Sequence, residues 1–207
     1  MIVKNSKPLA VVSYDTQTFD LLTKFVADES DHVVTRFSPE QFFNNPDPAY
    51  QYINLVVKDF VERHVISDRL TQLNLDRWTY IGEDIGHPAH TVSLNNKNLS
   101  IGSGCLIYPA VWAYSGHIGQ DVIVHSMTRM AENVYIGDGS FLSGSITIAG
   151  GCKIGNRCFL GNNLFFMDGV SICDDVKLLP GTNLRKSITE PGTYYNPGAF
   201  KIENIVV

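Results

Sequence analysis

A histidine and a glutamate stand seven residues apart in the stretch VIVHSMTRMAENVYIGDG, residues 122–139. A neutral imidazole with a pKa of about 6.5 takes up a proton near neutral pH, whereas a glutamate at about 4.3 needs burial to become a comparable base. We therefore interpret His125 as a general base and Glu132 as the carboxylate that orients the ring and stabilises its cationic form. The alternatives are that His125 only decorates an interface and that Glu132 is a solvated corner residue.

The composition favours a small-molecule or protein partner. The chain has 207 residues, 44% of them hydrophobic, and a formal net charge of -5. Because no run of Lys or Arg occurs, the sequence lacks the clustered positive charge that binds nucleic acid or an anionic membrane surface. The N-terminal stretch MIVKNSKPLAVVSYD has only a short apolar run, so we expect no signal peptide, no membrane insertion and a cytoplasmic location.

The glycine distribution divides the chain into two parts, because all 17 glycines lie at or after Gly82. We predict a small α/β domain over residues 1–82, a second domain over 83–190 and a C-terminal tail over 191–207. The first part alternates strand-like stretches (PLAVV, HVVTRF, YINLVV, RWTYI) with helix-like ones (FDLLTKFVAD, SPEQFF, DFVERHVISDRLTQLNL). Such alternation is typical of a small parallel sheet with a Rossmann-like layout. Ser38, Pro39 and Gln41 form a helix start signal.

The first turn of this α/β domain reads SYDTQT, where a dinucleotide fold has a glycine-rich turn. Asp15 places a carboxylate where a phosphate would need a bare amide, so a diphosphate would not bind there in the usual way. Substrate contacts from this domain would come from Ser13 and Tyr14. The alternatives are that Tyr14 packs in the core and that the domain as a whole only packs.

The second part is a repeat of six residues. From Ile118 it breaks into the hexads IGQDVI, VHSMTR, MAENVY, IGDGSF, LSGSIT, IAGGCK, IGNRCF, LGNNLF, FMDGVS, ICDDVK, LLPGTN and LRKSIT. Each opens with an aliphatic residue, Met or Phe, and IGSGCL, IYPAVW and the shortened AYSGH extend the pattern back to Ile101 with one residue missing. A hexapeptide repeat predicts a parallel β-helix.

In such a coil, three hexads make one triangular turn, and successive turns stack at about 4.8 Å. The first position of each hexad points inward, and the fifth is reserved for small inward residues. Cys105, Cys152 and Cys158 all fall at the fifth position, so we interpret them as core thiols and not as ligands.

With HPAHTVS from His87 leading into the hexads and an α/β domain in front, the chain resembles the left-handed β-helix (hexapeptide-repeat) acyltransferases. Within them it is similar to the nucleotide-amino-sugar and sialic acid acetyltransferases of bacterial surface-glycan biosynthesis. The resemblance is strongest from about His87 to Lys186. It implies a homotrimer with active sites between neighbouring coils, acetyl-CoA as donor without a metal, and an amino or hydroxyl group of a nucleotide-activated amino sugar as acceptor.

The resemblance also assigns individual residues. The family's catalytic histidine and following acidic residue correspond here to Glu132 and Asn133, and a second histidine corresponds to Phe141. Positions three hexads apart stack, so Glu132 and Gly150 share one corner of the prism while His125 lies at a neighbouring corner. In a threefold trimer, His125 of one subunit could meet Glu132 of the next.

Donor contacts are expected from a second set of residues. Gly150 and Asn162 correspond to family positions whose backbone contacts the pantetheine arm, Gly144 beside Asn162 is expected to bind the cofactor as well, and Lys186 could meet the negatively charged end of CoA. The main-chain amide of Gly150 is best placed to hold a tetrahedral oxyanion. The alternatives are that glycine and asparagine occupy these corners without any ligand and that Lys186 is a surface cation.

The leading functional hypothesis is acetyl transfer to the amino group of a nucleotide-linked amino sugar. The rivals are a sugar O-acetyltransferase and a non-catalytic coil that serves as an assembly module. A zinc-dependent carbonic anhydrase of the same fold needs three histidines, and only His117 and His125 lie within the coil, so that hypothesis is set aside.

Overall fold

The computed structural model describes residues 7–14, 34–54, 60–77, 79–81, 93–94 and 98–195. Three predicted features lie outside these ranges: the helix at FDLLTKFVAD, Asp15 in the first turn, and residues 87–92 of the HPAHTVS stretch.

The N-terminal part contains a small parallel sheet, as predicted. Its strands are β1 (Leu9–Val12), β2 (Val34–Phe37) and β3 (Gln51–Asn54), in the order β2-β1-β3. The described helices of this part are α1 (Pro39–Asn44) and α2 (Phe60–Gln72). The predicted start of α1 is confirmed, because Ser38 Oγ accepts a hydrogen bond from the Gln41 N–H at 3.1 Å and Gln41 Oε1 accepts one from the Ser38 N–H at 2.8 Å.

The remainder is a parallel coil with three faces. Face one consists of β4 (Tyr80–Ile81), β7 (Leu106–Ile107), β10 (Ile123–Val124), β13 (Phe141–Leu142), β16 (Phe159–Leu160), β19 (Val176–Leu178) and β21 (Gly192–Tyr194). Face two consists of β5 (Ser93–Leu94), β8 (Trp112–Ala113), β11 (Arg129–Met130), β14 (Thr147–Ile148), β17 (Phe165–Phe166) and β20 (Asn183–Leu184). Face three consists of β6 (Leu99–Ile101), β9 (Gly116–Ile118), β12 (Val134–Ile136), β15 (Lys153–Ile154) and β18 (Ser171–Ile172).

Two of these strands lie beyond the predicted domain limits. β4 pairs with β7 of the coil, although RWTYI was predicted to close the α/β sheet. Among the described residues of this stretch, Arg77 forms a bridge with Tyr52 of that sheet. β21 pairs with β19. The limits at residues 82 and 190 stay predictions, and the strand pairing extends the coil past both of them.

The core of the coil follows the hexads. The first residue of every hexad from Ile118 onward is buried: Ile118, Val124, Met130, Ile136, Leu142, Ile148, Ile154, Leu160, Phe166, Ile172, Leu178 and Leu184. Cys105, Cys152 and Cys158 are also fully buried, which confirms them as core thiols. Each buried aliphatic side chain of this size stabilises the fold by roughly 1.5–3 kcal/mol, so the inward ladders hold the coil together.

Between β6 and β20, each turn of the coil spans three hexads, with one exception. Tyr135 pairs with Lys153, and Lys153 pairs with Ser171, each at the full spacing of three hexads. Trp112 pairs with Arg129, which stands one position nearer in the chain than three hexads would place it. The residue that the hexad pattern predicted to be missing before Ile118 is therefore absent from this turn. Residues of this turn align with residues of the next turn that stand one position nearer in the chain than three hexads.

The N-terminal sheet packs on face one. Leu9, Val11 and Ile53 form a buried cluster with Leu106, Ile123 and Phe141, and Tyr108 and Phe159 pack against it. We call this cluster the seam. Beside it, Arg77 Nε lies 3.0 Å from both carboxylate oxygens of the buried Asp121. Apolar packing and this ion pair join the N-terminal part to the coil.

Among the described helices, none is both long and apolar enough to span a membrane.

Candidate active site

His125 follows β10 at the corner between faces one and two. Its main-chain N–H donates to the Leu142 carbonyl at 2.9 Å, so the coil ladder fixes its backbone. The side chain is half-buried, and this burial lowers the pKa of the imidazole. Burial disfavours the charged form, so the ring is neutral and able to accept a proton at neutral pH.

Glu132 lies at the next corner, between faces two and three, and its side chain is exposed. The carboxylate folds over Gly150, because a methyl group added at Gly150 would lie 2.7 Å from Glu132 Oε1. Glycine at 150 thus leaves the space that Glu132 occupies. Strand β11 separates Glu132 from His125, so the two residues lie at different corners of one chain, as predicted, and the structure of one chain does not bring them together.

The other predicted coil residues divide between these two corners. Gly144 and Asn162 belong to the His125 corner, and the Gly144 N–H donates to Asn162 Oδ1 at 3.0 Å. Gly150 belongs to the Glu132 corner, where its N–H donates to Asp168 Oδ1 at 3.0 Å. Lys186 stands three hexads after Asp168 in the same column and is exposed.

This hydrogen bond from a corner amide to an Asp or Asn side chain one turn further on is a repeated feature of the coil. It also joins Gln120 to Asp138, Asp138 to Asn156 and Asn156 to Asp174, at 2.8 Å each. Sequence reasoning missed it. Because the amides of Gly144 and Gly150 are both used in this way, the predicted oxyanion contact at Gly150 would require its bond to Asp168 to open.

Sequence reasoning also missed Tyr108. Its ring stacks on that of His125, with centroids 4.3 Å apart and planes 9° apart. The signal was present in the sequence, because the turn beginning at Ile101 is one residue short. The neighbour of His125 in the preceding turn is therefore one position nearer in the chain than three hexads would place it.

The two candidates of the N-terminal domain lie at the carboxyl end of β1, the edge at which parallel sheets bind ligands. Ser13 is buried and its main-chain N–H donates to the Phe37 carbonyl at 3.0 Å. Tyr14 is 47% exposed, so it does not pack in the core.

The other histidine of the coil, His117, has a different environment. His117 Nδ1 lies 2.8 Å from Ser100 Oγ, and its ring stacks on Tyr135 with centroids 5.1 Å apart. Within the described ranges, no group of three or more His, Cys, Asp or Glu side chains could hold a metal ion.

A cleft of about 170 Å³ lies between α2 and the corner that joins faces three and one. His64 and Asp68 of the helix and Asp138 and Arg157 of the coil are among its lining residues. None of the predicted site residues lines this cleft.

Faces two and three present large apolar side chains to solvent. Five of them are between 42% and 49% exposed: Trp112, Tyr114, Tyr135, Phe165 and Met167. They flank the Glu132 corner on both sides. Apolar side chains gathered on one part of a surface are typical of protein–protein contacts.

The fold is that of the left-handed β-helix acetyltransferases with an N-terminal α/β domain. The acetyltransferase domain of PglB from Neisseria gonorrhoeae is similar in structure, with a TM-score of 0.72, 16% sequence identity, and coverage of 92% of this chain and 97% of that one. Perosamine N-acetyltransferase from Caulobacter crescentus, in a variant with one histidine replaced by asparagine and in complex with CoA and GDP-perosamine, has a TM-score of 0.71, 14% identity, and coverage of 93% and 95%. No protein-family model matches the sequence, and no curated protein matches it significantly.

Proposed function

We propose that the protein transfers an acetyl group from acetyl-CoA to the amino group of a nucleotide-linked amino sugar, in the cytoplasm, for bacterial surface-glycan biosynthesis. The observation that carries this proposal is the likeness over nearly the whole of both chains to an acetyltransferase crystallised with CoA and a nucleotide amino sugar. The PglB domain has likewise been crystallised with acetyl-CoA. Both parts of the fold match, which favours a shared use of the N-terminal domain and the coil.

The active site of this proposal lies between subunits of a homotrimer. Each subunit offers two different corners, and a heterologous contact closes into a ring when the rotation is threefold. The exposed Trp112 and Phe165 on face two and Tyr135 on face three supply apolar surface on either side of the Glu132 corner. In the trimer, that corner of one subunit faces the His125 corner of its neighbour.

In this arrangement His125 takes a proton from the acceptor amine as the nitrogen attacks the thioester carbonyl. The C–N bond forms, the C–S bond breaks, and the imidazolium returns its proton to the departing thiolate of CoA. Glu132 of the adjacent subunit stabilises the imidazolium while it exists. The neutral, half-buried ring supports the role of His125, and the exposed carboxylate at its glycine-lined corner supports that of Glu132.

The test is turnover with a panel of nucleotide amino sugars, each paired with the matching nucleotide sugar that carries a hydroxyl at the same carbon. Release of CoA thiol is followed continuously, and products are identified by mass spectrometry. We expect acetylated product with an amino sugar and little with its hydroxyl partner. Product only with hydroxyl partners would make the protein an O-acetyltransferase. Binding of acetyl-CoA without any turnover would instead favour the non-catalytic assembly module. That candidate is kept because Glu132 stands where the family's histidine is expected.

A further inference from the structure

The stack of Tyr108 on His125 is fixed by the coil itself. Leu106 pairs with Ile123 in the strand register. Tyr108 and His125 each stand two positions after these residues, so they lie one above the other on successive turns. The Tyr108 N–H donates to the Val124 carbonyl at 2.9 Å. The main-chain hydrogen bonds therefore hold the two residues in register, and from these positions the rings stack with centroids 4.3 Å apart.

Tyr108 is anchored on its other side. It packs against the seam between the N-terminal sheet and face one, and its burial raises the pKa of the phenol, so the hydroxyl stays protonated at neutral pH. A ring packed in this way has little freedom to follow a moving neighbour. The position of the imidazole is thus tied to the docking of the N-terminal sheet.

A second aromatic ring, that of Phe141, contacts the imidazole of His125. The Phe141 ring lies 5.3 Å from it at an interplanar angle of 56°. Within the described part of the chain, neither ring nitrogen of His125 has a hydrogen-bond partner, and no charged side chain contributes to the pKa of His125. Within the described part of one chain, aromatic contacts set the plane of this ring, and its nitrogen edge is left for a ligand.

We propose that Tyr108 is a positioning residue for the base His125: its ring fixes the plane of the imidazole, so that a nitrogen edge faces the acceptor. This inference rests on the proposed function, because it assigns a role to Tyr108 in that same site. Misplacement of a catalytic group by about 1 Å costs up to about a hundredfold in rate. Loss of the stacked ring would free the imidazole to rotate and would admit water beside it.

The experiment compares Tyr108→Leu, which keeps apolar volume at the seam, with Tyr108→Phe, which keeps the ring. Tyr50→Leu is the matched control, since Tyr50 packs edge-on against Phe37 of the N-terminal sheet with ring centroids 5.5 Å apart. Three quantities are measured. Two are kcat and the pH profile of kcat/KM with acetyl-CoA and an amino-sugar acceptor, and the third is the pKa of His125 from NMR titration of labelled histidine without substrate. The His125 signal is assigned by its loss in His125→Ala.

We expect Tyr108→Leu to lower kcat about tenfold to a hundredfold with the KM for acetyl-CoA unchanged. Its His125 pKa should rise toward the ordinary value of about 6.5, because water then reaches the charged form, and the acid limb of the profile should move to higher pH with it. Tyr108→Phe should behave as the parent, and Tyr50→Leu should leave the His125 titration unchanged.

Two results would overturn the proposal. One is a His125 titration in Tyr108→Leu that matches the parent. The other is a Tyr108→Phe variant as impaired as Tyr108→Leu, which would assign the effect to the hydroxyl and not to the stack. Because the titration needs no substrate, it separates the two proposals: a parent that turns over no sugar refutes the proposed function, while the titration still decides whether Tyr108 controls the state of His125.

Discussion

Replacing Gly150 with alanine should impair acetyl transfer without unfolding the coil. The φ of Gly150 lies outside the left-handed region, and the added methyl group would meet Glu132 Oε1 at 2.7 Å and Glu132 Cδ at 3.0 Å. These atoms are the far end of an exposed, flexible side chain, which can swing away at little cost. We expect the free energy of unfolding to change by less than about 1 kcal/mol, a Tm shift of no more than about 4 °C for a chain of this length.

The matched control is Gly155→Ala, at the corner between faces three and one, with a backbone conformation equally open to alanine. Its methyl group would lie 2.5 Å from both Asp174 N and Cys173 C, which are main-chain atoms of the next turn. Overpacking of this kind costs about 1–3 kcal/mol, so Tm should fall by about 2–12 °C. Gly150→Ala, in contrast, displaces Glu132 and should lower kcat about tenfold to a hundredfold.

The assays are thermal unfolding at one fixed protein concentration and initial rates with saturating acetyl-CoA. Full activity in Gly150→Ala, with a Tm close to that of the parent, would refute the assignment of Glu132 to the site. A large loss of Tm in Gly150→Ala would instead refute the inference that the Glu132 side chain is free to move.

Three further predictions concern the site, the domain junction and the assembly. Glu132→Gln should keep the oligomer and lower kcat less than loss of His125 does, because its carboxylate only stabilises the imidazolium; steady-state kinetics and light scattering on the same sample check this. Asp121→Asn should lower the free energy of unfolding by about 3 kcal/mol, because it leaves Arg77 buried beside a neutral partner, and denaturant unfolding measures the change; an unaltered midpoint would show that the ion pair does not hold the junction. The parent should have the mass of a trimer by light scattering at micromolar concentration, and Trp112→Arg should lower that mass; a monomeric parent would remove the proposed site between subunits.

The coil was predictable because each hexad shows its inward position by an apolar residue within six residues of sequence. An inward residue at the first position has to be apolar whatever its neighbours are, so twelve hexads give twelve buried side chains in register. The start of α1 was predictable for a similar reason, since Ser38, Pro39 and Gln41 act within three residues of one another. Local patterns of this kind are visible in one sequence.

Contacts between distant residues were not predictable in the same way. Arg77 and Asp121 are 44 residues apart, and Arg63 donates to the Asp121 carbonyl across 58. No local propensity marks such pairs, because they depend on how the N-terminal sheet docks on face one. The stack of Tyr108 on His125 is intermediate: the missing residue was seen in the hexads, but its effect on side-chain alignment needs the register of the strands.

The most direct test of the account is the pH profile of kcat/KM for the parent and for His125→Ala on one nucleotide amino sugar that is turned over. A base must be neutral to act, so the parent should lose activity as the pH falls through the pKa of His125. Burial within one chain lowers this pKa, and the Glu132 carboxylate of the adjacent subunit raises it. His125→Ala should lack this limb and should have a kcat lower by about a hundredfold to ten-thousandfold, with acetyl-CoA affinity little changed. Full turnover by His125→Ala together with an inactive Glu132→Gln would contradict the account and make the glutamate the base.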